Sequence, residues 1–267
     1  MAPRLNRAEC MLLAWAAALL ATAVLGPPLA QSPGYHGFAD ARTLWGVPRA
    51  MDVLSNAAFA AFGLWGGWRL LRLPPGALTL SERWLCALFF VGLIATAAAS
   101  AVYHLEPHDA GLAIDRAAMG LAFAGILGLA TLRVSARAGW ATAIAVLLLA
   151  PLAVHAWLRT GNLLPWAALQ LGGMLALLAL PLARPCAPAL PVRWGVLLAA
   201  YALAKLLEAA DQAIFQLSAQ TISGHTLKHL TAAAAAWPVV AALGARMPAP
   251  RGAPRPAAPA AAAGPPA

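Results

Sequence analysis

Long apolar runs separated by short polar loops make up most of the chain. The first run, residues 10–30, follows Arg4 and Arg7, so it has the positively charged start and apolar centre of a signal peptide or a signal anchor. Pro28 stands where a cleavage site would carry a small residue. We therefore favour an uncleaved anchor helix.

Seven further apolar runs follow, each about long enough to cross a bilayer. They are rich in Ala, Leu, Val and Gly and lack the alternation of a strand, which indicates helices. The sequence thus predicts an all-α integral membrane protein, a seven-transmembrane helix bundle plus one N-terminal hydrophobic segment. The seven predicted spans are 52–71, 84–105, 110–132, 139–158, 163–182, 194–215 and 224–244.

The runs divide the chain into three parts. Residues 1–31 form the signal anchor or signal peptide, and residues 32–246 form the membrane domain. The remainder, 247–267, is rich in Pro and Ala and has no apolar pattern from which to build a core, so we predict that it is disordered.

Composition agrees with a membrane protein and leaves no room for a large soluble domain. The 267 residues are 62% hydrophobic and only 10% charged, whereas soluble proteins carry roughly 25% charged residues. The net charge of +9 comes from arginines in loops, which in membrane proteins reports orientation. We therefore predict no nucleic-acid binding, and nothing in the sequence indicates a protein partner.

The loop arginines set the orientation. They follow the first, third, fifth and seventh predicted spans, whereas the opposite loops carry few positive charges. The rule that cytoplasmic loops are positive then places the C-terminus in the cytoplasm. The Ala- and Arg-rich composition is typical of a high-GC bacterium, so the predicted location is a bacterial inner membrane. The arginines in question are Arg69, Arg72, Arg83, Arg133, Arg137, Arg184, Arg193, Arg246, Arg251 and Arg255.

Several polar side chains lie within the predicted spans, where an ionisable group costs at least a few kcal/mol (about 2.5 or more) and so requires a reason. With the orientation above, all of them fall in the outer half of the membrane. This shared depth predicts a common polar site there, which Tyr103 also adjoins. The residues are Asp52, Ser55, Asn56, Ser100, His104, Asp115, Glu208, Asp211, His225 and His229.

Helical spacing indicates which of these residues act together. Ser100 and His104 are four residues apart, as are His225 and His229, so each pair shares a helix face. Three imidazoles from two helices form a zinc ligand set that leaves a position for water, and zinc lowers the pKa of that water to about 7. Asp115 is then suited to proton transfer and Ser100 to an oxyanion.

Simpler interpretations exist for each residue alone. A His-x-x-x-His spacing at the start of a helix arises often by chance. A lone Asp at the end of a span is usually a helix cap, and a lone Ser bonds to the preceding turn. Only the combination at one depth favours a metal site.

The order Ser-x-x-x-His, an Asp eleven residues later and a distant His-x-x-x-His in the last span resembles the alkaline ceramidase family. That family belongs to a seven-helix superfamily of membrane hydrolases that also holds adiponectin/progestin-type receptors and hemolysin III proteins. The matching stretches are "SAVYH" at 100–104, "IDRAAM" at 114–119 and "SGHTLKH" at 223–229, supported by "DVLSNAAF" at 52–59 and "ADQAIF" at 210–215.

The resemblance implies a zinc-dependent amidase that cleaves the N-acyl bond of a ceramide-like lipid taken from the bilayer. It implies that His104, His225 and His229 hold zinc, with Asp115 and Ser100 as catalytic residues. Asp52, Asn56, Tyr103, Glu208 and Asp211 would line the site.

Two local features depart from the family. Animal members carry an acidic calcium loop before the first span, but here arginines 42 and 49 accompany Asp40 and Asp52, so we do not predict calcium. Lys228 lies between the two histidines, and we expect it to face away towards the interface. Lys205 and Glu208 have the i,i+3 spacing of an ion pair.

Two other function classes remain open from the sequence. One is a receptor or pore-type member of the same superfamily that keeps zinc for structure. The other is a haem-binding or ion-translocating protein in which the histidines are axial ligands or relays.

Overall fold

The computed structural model describes residues 5–182, 185–187 and 189–247. The predicted tail from 248, Arg4 and Arg184 lie outside the described residues. All eight predicted apolar segments are helical, and the described part of the chain contains no β-strand beyond two isolated bridges. The helices are α1 (Arg7–Leu25), α2 (Ala50–Ser55), α3 (Ala57–Arg72), α4 (Leu80–Leu105), α5 (Asp109–Thr131), α6 (Ala136–Thr160), α7 (Leu164–Ala179), α8 (Trp194–Ala209), α9 (Asp211–Leu217), α10 (Gly224–Ala234) and α11 (Trp237–Gly244).

Six helical segments of the described chain are long and apolar enough to cross a membrane: α1, α4, α5, α6, α7 with its final 3₁₀ turn, and α10 with α11. The other two predicted spans are each divided into two shorter helices. Asn56 separates α2 from α3, and Ala210 separates α8 from α9. The outside of the bundle carries large apolar side chains such as Leu71 and Leu148, as expected of a surface that contacts lipid rather than water. The protein is therefore a multi-pass helical membrane protein.

The helices form a closed ring in which neighbours in sequence pack together. α4 lies between α3 and α5, α6 joins α5 to α7, and α10 with α11 closes the ring between α8 and α3. α1 stands outside the ring against α7. This arrangement brings the end of α4 and the starts of α5 and α10 to the same end of the bundle, which we call the site end.

The α4–α5 pair is held at close range by glycines. A Cβ on Gly92 would lie 2.3 Å from the backbone nitrogen of Ala122, and one on Gly125 would lie 2.4 Å from that of Phe89. Because even a methyl group would clash with the facing backbone, these glycines let the two helices approach closely, as small residues do in membrane bundles. The register that results fixes His104, near the end of α4, relative to Asp115, near the start of α5.

The segment between α1 and α2 crosses the site end and is tied to it at several points. His36 bridges the hydroxyl of Tyr103 (2.9 Å) and the carboxylate of Asp109 (3.1 Å). The backbone N–H of Ala39 donates to Asp211 Oδ2 at 3.0 Å. Residues 31–49 therefore cover this end of the bundle, and we call them the covering segment.

Candidate metal and catalytic site

The three predicted zinc ligands converge at the site end. His104 from α4 meets His225 and His229 from α10, and one nitrogen from each ring lies within 4.8 Å of the others. All three are buried, between 1% and 6% exposed. Two helices distant in sequence thus bring three imidazoles together, as their spacing predicted.

One distance in the cluster matches that of a tetrahedral metal site. His104 Nε2 and His225 Nε2 are 3.3 Å apart. Two nitrogens bound to zinc at 2.0–2.1 Å with a tetrahedral angle are separated by about 3.3–3.4 Å. The donor set is made of neutral, nitrogen-only ligands, which is compatible with zinc and does not by itself identify it.

His229 is oriented by Ser55, the last residue of α2. Ser55 Oγ lies 2.8 Å from His229 Nδ1 and donates to the backbone carbonyl of Asp52 at 3.0 Å. Because the hydroxyl donates its hydrogen to the carbonyl, it accepts from Nδ1–H, which leaves Nε2 of His229 free to bind a metal ion. Such outer contacts commonly fix the tautomer of a metal ligand. The sequence placed Ser55 among the polar residues, but its role follows only from the contact.

The start of α10 is built to present its two histidines. Ser223 caps the helix by accepting from the N–H of Thr226 at 2.9 Å, and Asp52 accepts from Thr226 Oγ1 at 2.6 Å. The N–H of His225 donates to Asp211 Oδ1 at 2.8 Å. A Cβ on Gly224 would lie 2.2 Å from the carbonyl oxygen of Leu207. The motif "SGH" therefore combines a cap, a close approach to α8 and a ligand.

Ser100 and Asp115 meet on the wall of an adjoining cavity of about 160 Å³, which His229 also lines. The Ser100 hydroxyl interacts with the Asp115 carboxylate, and Asp115 Oδ1 has no hydrogen-bond partner. Both residues are buried. The two predicted catalytic side chains are thus neighbours, facing a space that one metal ligand borders.

Of the five residues predicted to line the site, Glu208 lines this cavity. The other four do not, and they support the surrounding structure. Asp52 and Asp211 hold the start of α10, the Nδ2 group of Asn56 donates to the carbonyl of Asp52 at 2.8 Å, and Tyr103 bonds to His36.

The expectation that Lys228 faces away from the site is wrong. Its Nζ forms a salt bridge with Glu208 Oε1 at 2.8 Å and lies 3.3 Å from His225 Nε2. Lys205 pairs with the other oxygen of Glu208, which confirms the predicted i,i+3 ion pair. Glu208 attracts Lys228 into the cavity because a lysine there needs a partner of opposite charge. No sequence spacing links α8 to α10, so only the fold reveals this contact.

Phe38 of the covering segment is a site residue that the sequence did not indicate. Its ring lies against both His104 and His225, with centroids 4.5 Å apart in each case. An aromatic residue in a loop has no helical or strand periodicity from which such a contact could be predicted. Phe38 therefore shields the histidine cluster on the side of the covering segment.

Asp40, in the same segment, is held by Arg42. Arg42 donates from Nε to Oδ1 at 2.8 Å and from Nη2 to Oδ2 at 2.6 Å. Burial acts to raise the pKa of the Asp40 carboxyl, but the bonds from Arg42 outweigh it and hold the pKa below its ordinary value. This carboxylate is engaged in an ion pair with an arginine, an arrangement that differs from an acidic calcium loop.

Comparison with known proteins gives no independent assignment. No known protein family matches the sequence, and no curated protein is significantly similar to it.

Proposed function

We propose that the protein is a zinc-dependent membrane amidase that hydrolyses the N-acyl bond of a ceramide-like lipid to a fatty acid and an amine. The observation that carries the proposal is the cluster of His104, His225 and His229 beside a cavity that also holds Ser100 and Asp115. A ligand set of three histidines is typical of catalytic zinc sites, which keep a position for water. The motifs that resemble alkaline ceramidases lie on these residues.

The three histidines would hold the metal through ring nitrogens. When bound, zinc supplies Lewis-acid polarisation and lowers the pKa of water. The Ser55 hydroxyl keeps the Nε2 lone pair of His229 directed to the site, and Phe38 limits the access of water.

Asp115 and Ser100 would manage the proton and the developing charge. The Asp115 carboxylate accepts a proton from the attacking water and delivers it to the amide nitrogen as the C–N bond breaks. The Ser100 hydroxyl donates a hydrogen bond to the carbonyl oxygen, on which negative charge develops. The water's oxygen ends in the carboxyl group of the fatty acid, and the nitrogen leaves as an amine.

The cavity supports a lipid substrate. Most of its lining is apolar, with residues such as Leu93, Phe123 and Met174, and its charged side chains are few. Ligand cavities of this type combine an apolar body with a few polar groups. We further propose that the bundle has seven spans after the anchor helix and lies in a bacterial inner membrane with its C-terminus in the cytoplasm. The site then faces the outer half of the bilayer.

The test is a hydrolysis assay on a panel of N-acyl lipids, with and without a chelator, together with metal analysis of the purified protein. We expect about one zinc ion per chain and turnover that the chelator abolishes. Asp115→Asn should retain zinc while losing about 100-fold or more in kcat. His155→Ala is the matched control, since this exposed histidine of α6 lies outside the cluster. Zinc binding without turnover of any amide would refute the amidase and favour a receptor with structural zinc.

A further inference from the structure

Three charged side chains lead away from the histidine cluster in a connected row. Lys228 Nζ lies 3.3 Å from His225 Nε2, and it pairs with Glu208 Oε1 at 2.8 Å. The other oxygen of Glu208 accepts from Lys205. All three residues line the cavity.

The row runs from the interior of the site to its mouth. The side chains of Lys228 and Glu208 are 22% and 20% exposed, whereas that of Lys205 is 54% exposed. Lys205 is therefore the outermost cation. It donates to Glu208 and has further N–H donors for a second partner.

The apolar part of the cavity lining suits an acyl chain. Along α5 its lining runs from Asp115 through Met119 and Phe123 to Ile126, which spans about 16 Å of helix. Met119, Phe123 and Ile126 are apolar. An acyl chain placed along them with its carbonyl beside Asp115 leaves the amine part of the molecule on the side of Lys228 and Lys205.

The charged lining of the cavity carries an excess of cations. Arg116, Lys205 and Lys228 stand against Asp115 and Glu208. Arg116 is only 4% exposed and its Nη1 has no hydrogen-bond partner, although Nη2 donates to Gln31 Oε1 at 2.6 Å. A net positive charge with unused donors favours an anionic group over a neutral one.

We propose that the amine part of the substrate carries an anionic group, a carboxylate or a phosphate, which binds to Lys205 at the mouth of the cavity. The proposal rests on the proposed amidase function and names its substrate class: N-acyl lipids with an acidic headgroup, in preference to neutral ones. Lys205 is then a specificity-determining residue, separate from the hydrolytic step.

The test compares three substrates that share an oleoyl chain: N-oleoylglycine with a carboxylate, N-oleoyl-phosphoethanolamine with a phosphate, and neutral N-oleoylethanolamine. We expect kcat/KM for at least one anionic substrate to exceed that of the neutral one by about tenfold. Which anionic substrate is preferred distinguishes carboxylate from phosphate. We call the kcat/KM of the preferred anionic substrate divided by that of the neutral substrate the anionic-to-neutral ratio. In Lys205→Met this ratio should fall about tenfold, and in Lys205→Arg it should be retained.

Arg159→Met is the matched control, because it removes one positive charge from an exposed residue at the site end of α6 that does not line the cavity. Its anionic-to-neutral ratio should equal that of the wild type. If the ratio falls equally in Arg159→Met, the preference comes from the overall charge of the surface, and the role of Lys205 is overturned.

A binding measurement separates the two proposals. Quenching of tryptophan fluorescence, with Trp166 in the cavity lining, reports the affinity of the same lipids in the presence of a chelator. If no amide is hydrolysed but anionic lipids bind more tightly and lose this advantage in Lys205→Met, the amidase fails and the ligand class stands. If amides are hydrolysed and the neutral lipid is turned over as fast as both anionic ones, the amidase stands and the inference is overturned.

Discussion

Individual side chains of the histidine cluster divide into the three candidate metal ligands and the residues that orient them. His229 depends on Ser55, whose hydroxyl is 2.8 Å from Nδ1 and is itself directed by the carbonyl of Asp52. His225 depends on Asp211 through its backbone N–H. The ligands could be recognised from their spacing. The orienting residues could not be recognised in this way, because each of their contacts with a histidine joins segments more than ten residues apart.

Ser55→Ala is expected to weaken zinc binding about tenfold without removing a ligand, since outer hydrogen bonds to a ligating histidine contribute about 10–100-fold in affinity. Competition with a fluorescent zinc chelator measures this affinity. Ser218→Ala is the control, because the Ser218 hydroxyl bonds to the nearby carbonyls of Phe215 and Ile222, away from the histidine cluster. Equal zinc affinity in Ser55→Ala and wild type would show that His229 is held by packing alone.

At the scale of elements, the site is made by four pieces: the end of α4, the start of α5, the start of α10 and the covering segment. The glycine contacts between α4 and α5 and the contact of Gly224 with α8 fix the first three relative to one another. The covering segment is not a helix, and its position depends on bonds from His36, Ala39 and Arg42 to the bundle. Its apolar contribution to the site is Phe38.

Phe38→Ala is expected to speed the loss of zinc to a chelator by about tenfold. Fully burying an aromatic ring contributes about 1.5–3 kcal/mol. Phe38 is half-buried, so its loss is expected to cost on the order of 1.4 kcal/mol, which corresponds to about tenfold in a rate. The rate is measured by stopped-flow mixing with a coloured chelator. Trp45→Ala, in the same segment but with a side chain 83% exposed, should exchange zinc at the wild-type rate. An unchanged rate in Phe38→Ala would mean that metal enters by another route.

On the scale of the whole molecule, α1 is attached to the ring by an ion pair between Glu9 and the half-exposed Arg137. Glu9 is 4% exposed and accepts from Ser135 Oγ at 2.7 Å and from Arg137 Nη2 at 2.9 Å. Trp15 adds a bond from its indole N–H to the carbonyl of Gly172. These contacts join the first half of α1 to α6 and α7.

Glu9→Gln is expected to lower the free energy of unfolding in detergent, since a charge-assisted bond is lost and Arg137 loses a negatively charged partner. Chemical denaturation followed by circular dichroism measures the change. Glu106→Gln, an exposed acid after α4, serves as the control. If both variants unfold like the wild type, α1 contributes nothing to the stability of the bundle, as expected of a segment that is removed.

The sequence by itself determined the helical membrane architecture and the identity of the three converging histidines. Hydrophobic length sets the spans, and the i,i+4 spacing sets a shared face, and both are local properties of a helix. The shared helix face of Ser100 and His104 and the position of Asp115 near a helix start followed from the same rules.

Only the tertiary structure decided how the site is closed and charged. It joined Lys228 to Glu208 across two helices and placed Phe38 over the histidines. It also directed Ser55 to His229. Four residues predicted to line the site lie outside the cavity lining: Asp52, Asn56, Tyr103 and Asp211. The tertiary structure also divided two predicted spans at Asn56 and Ala210. The physical reason is common to all of these: each depends on the distance and rotation between elements far apart in sequence, which the periodicity of a single helix does not contain.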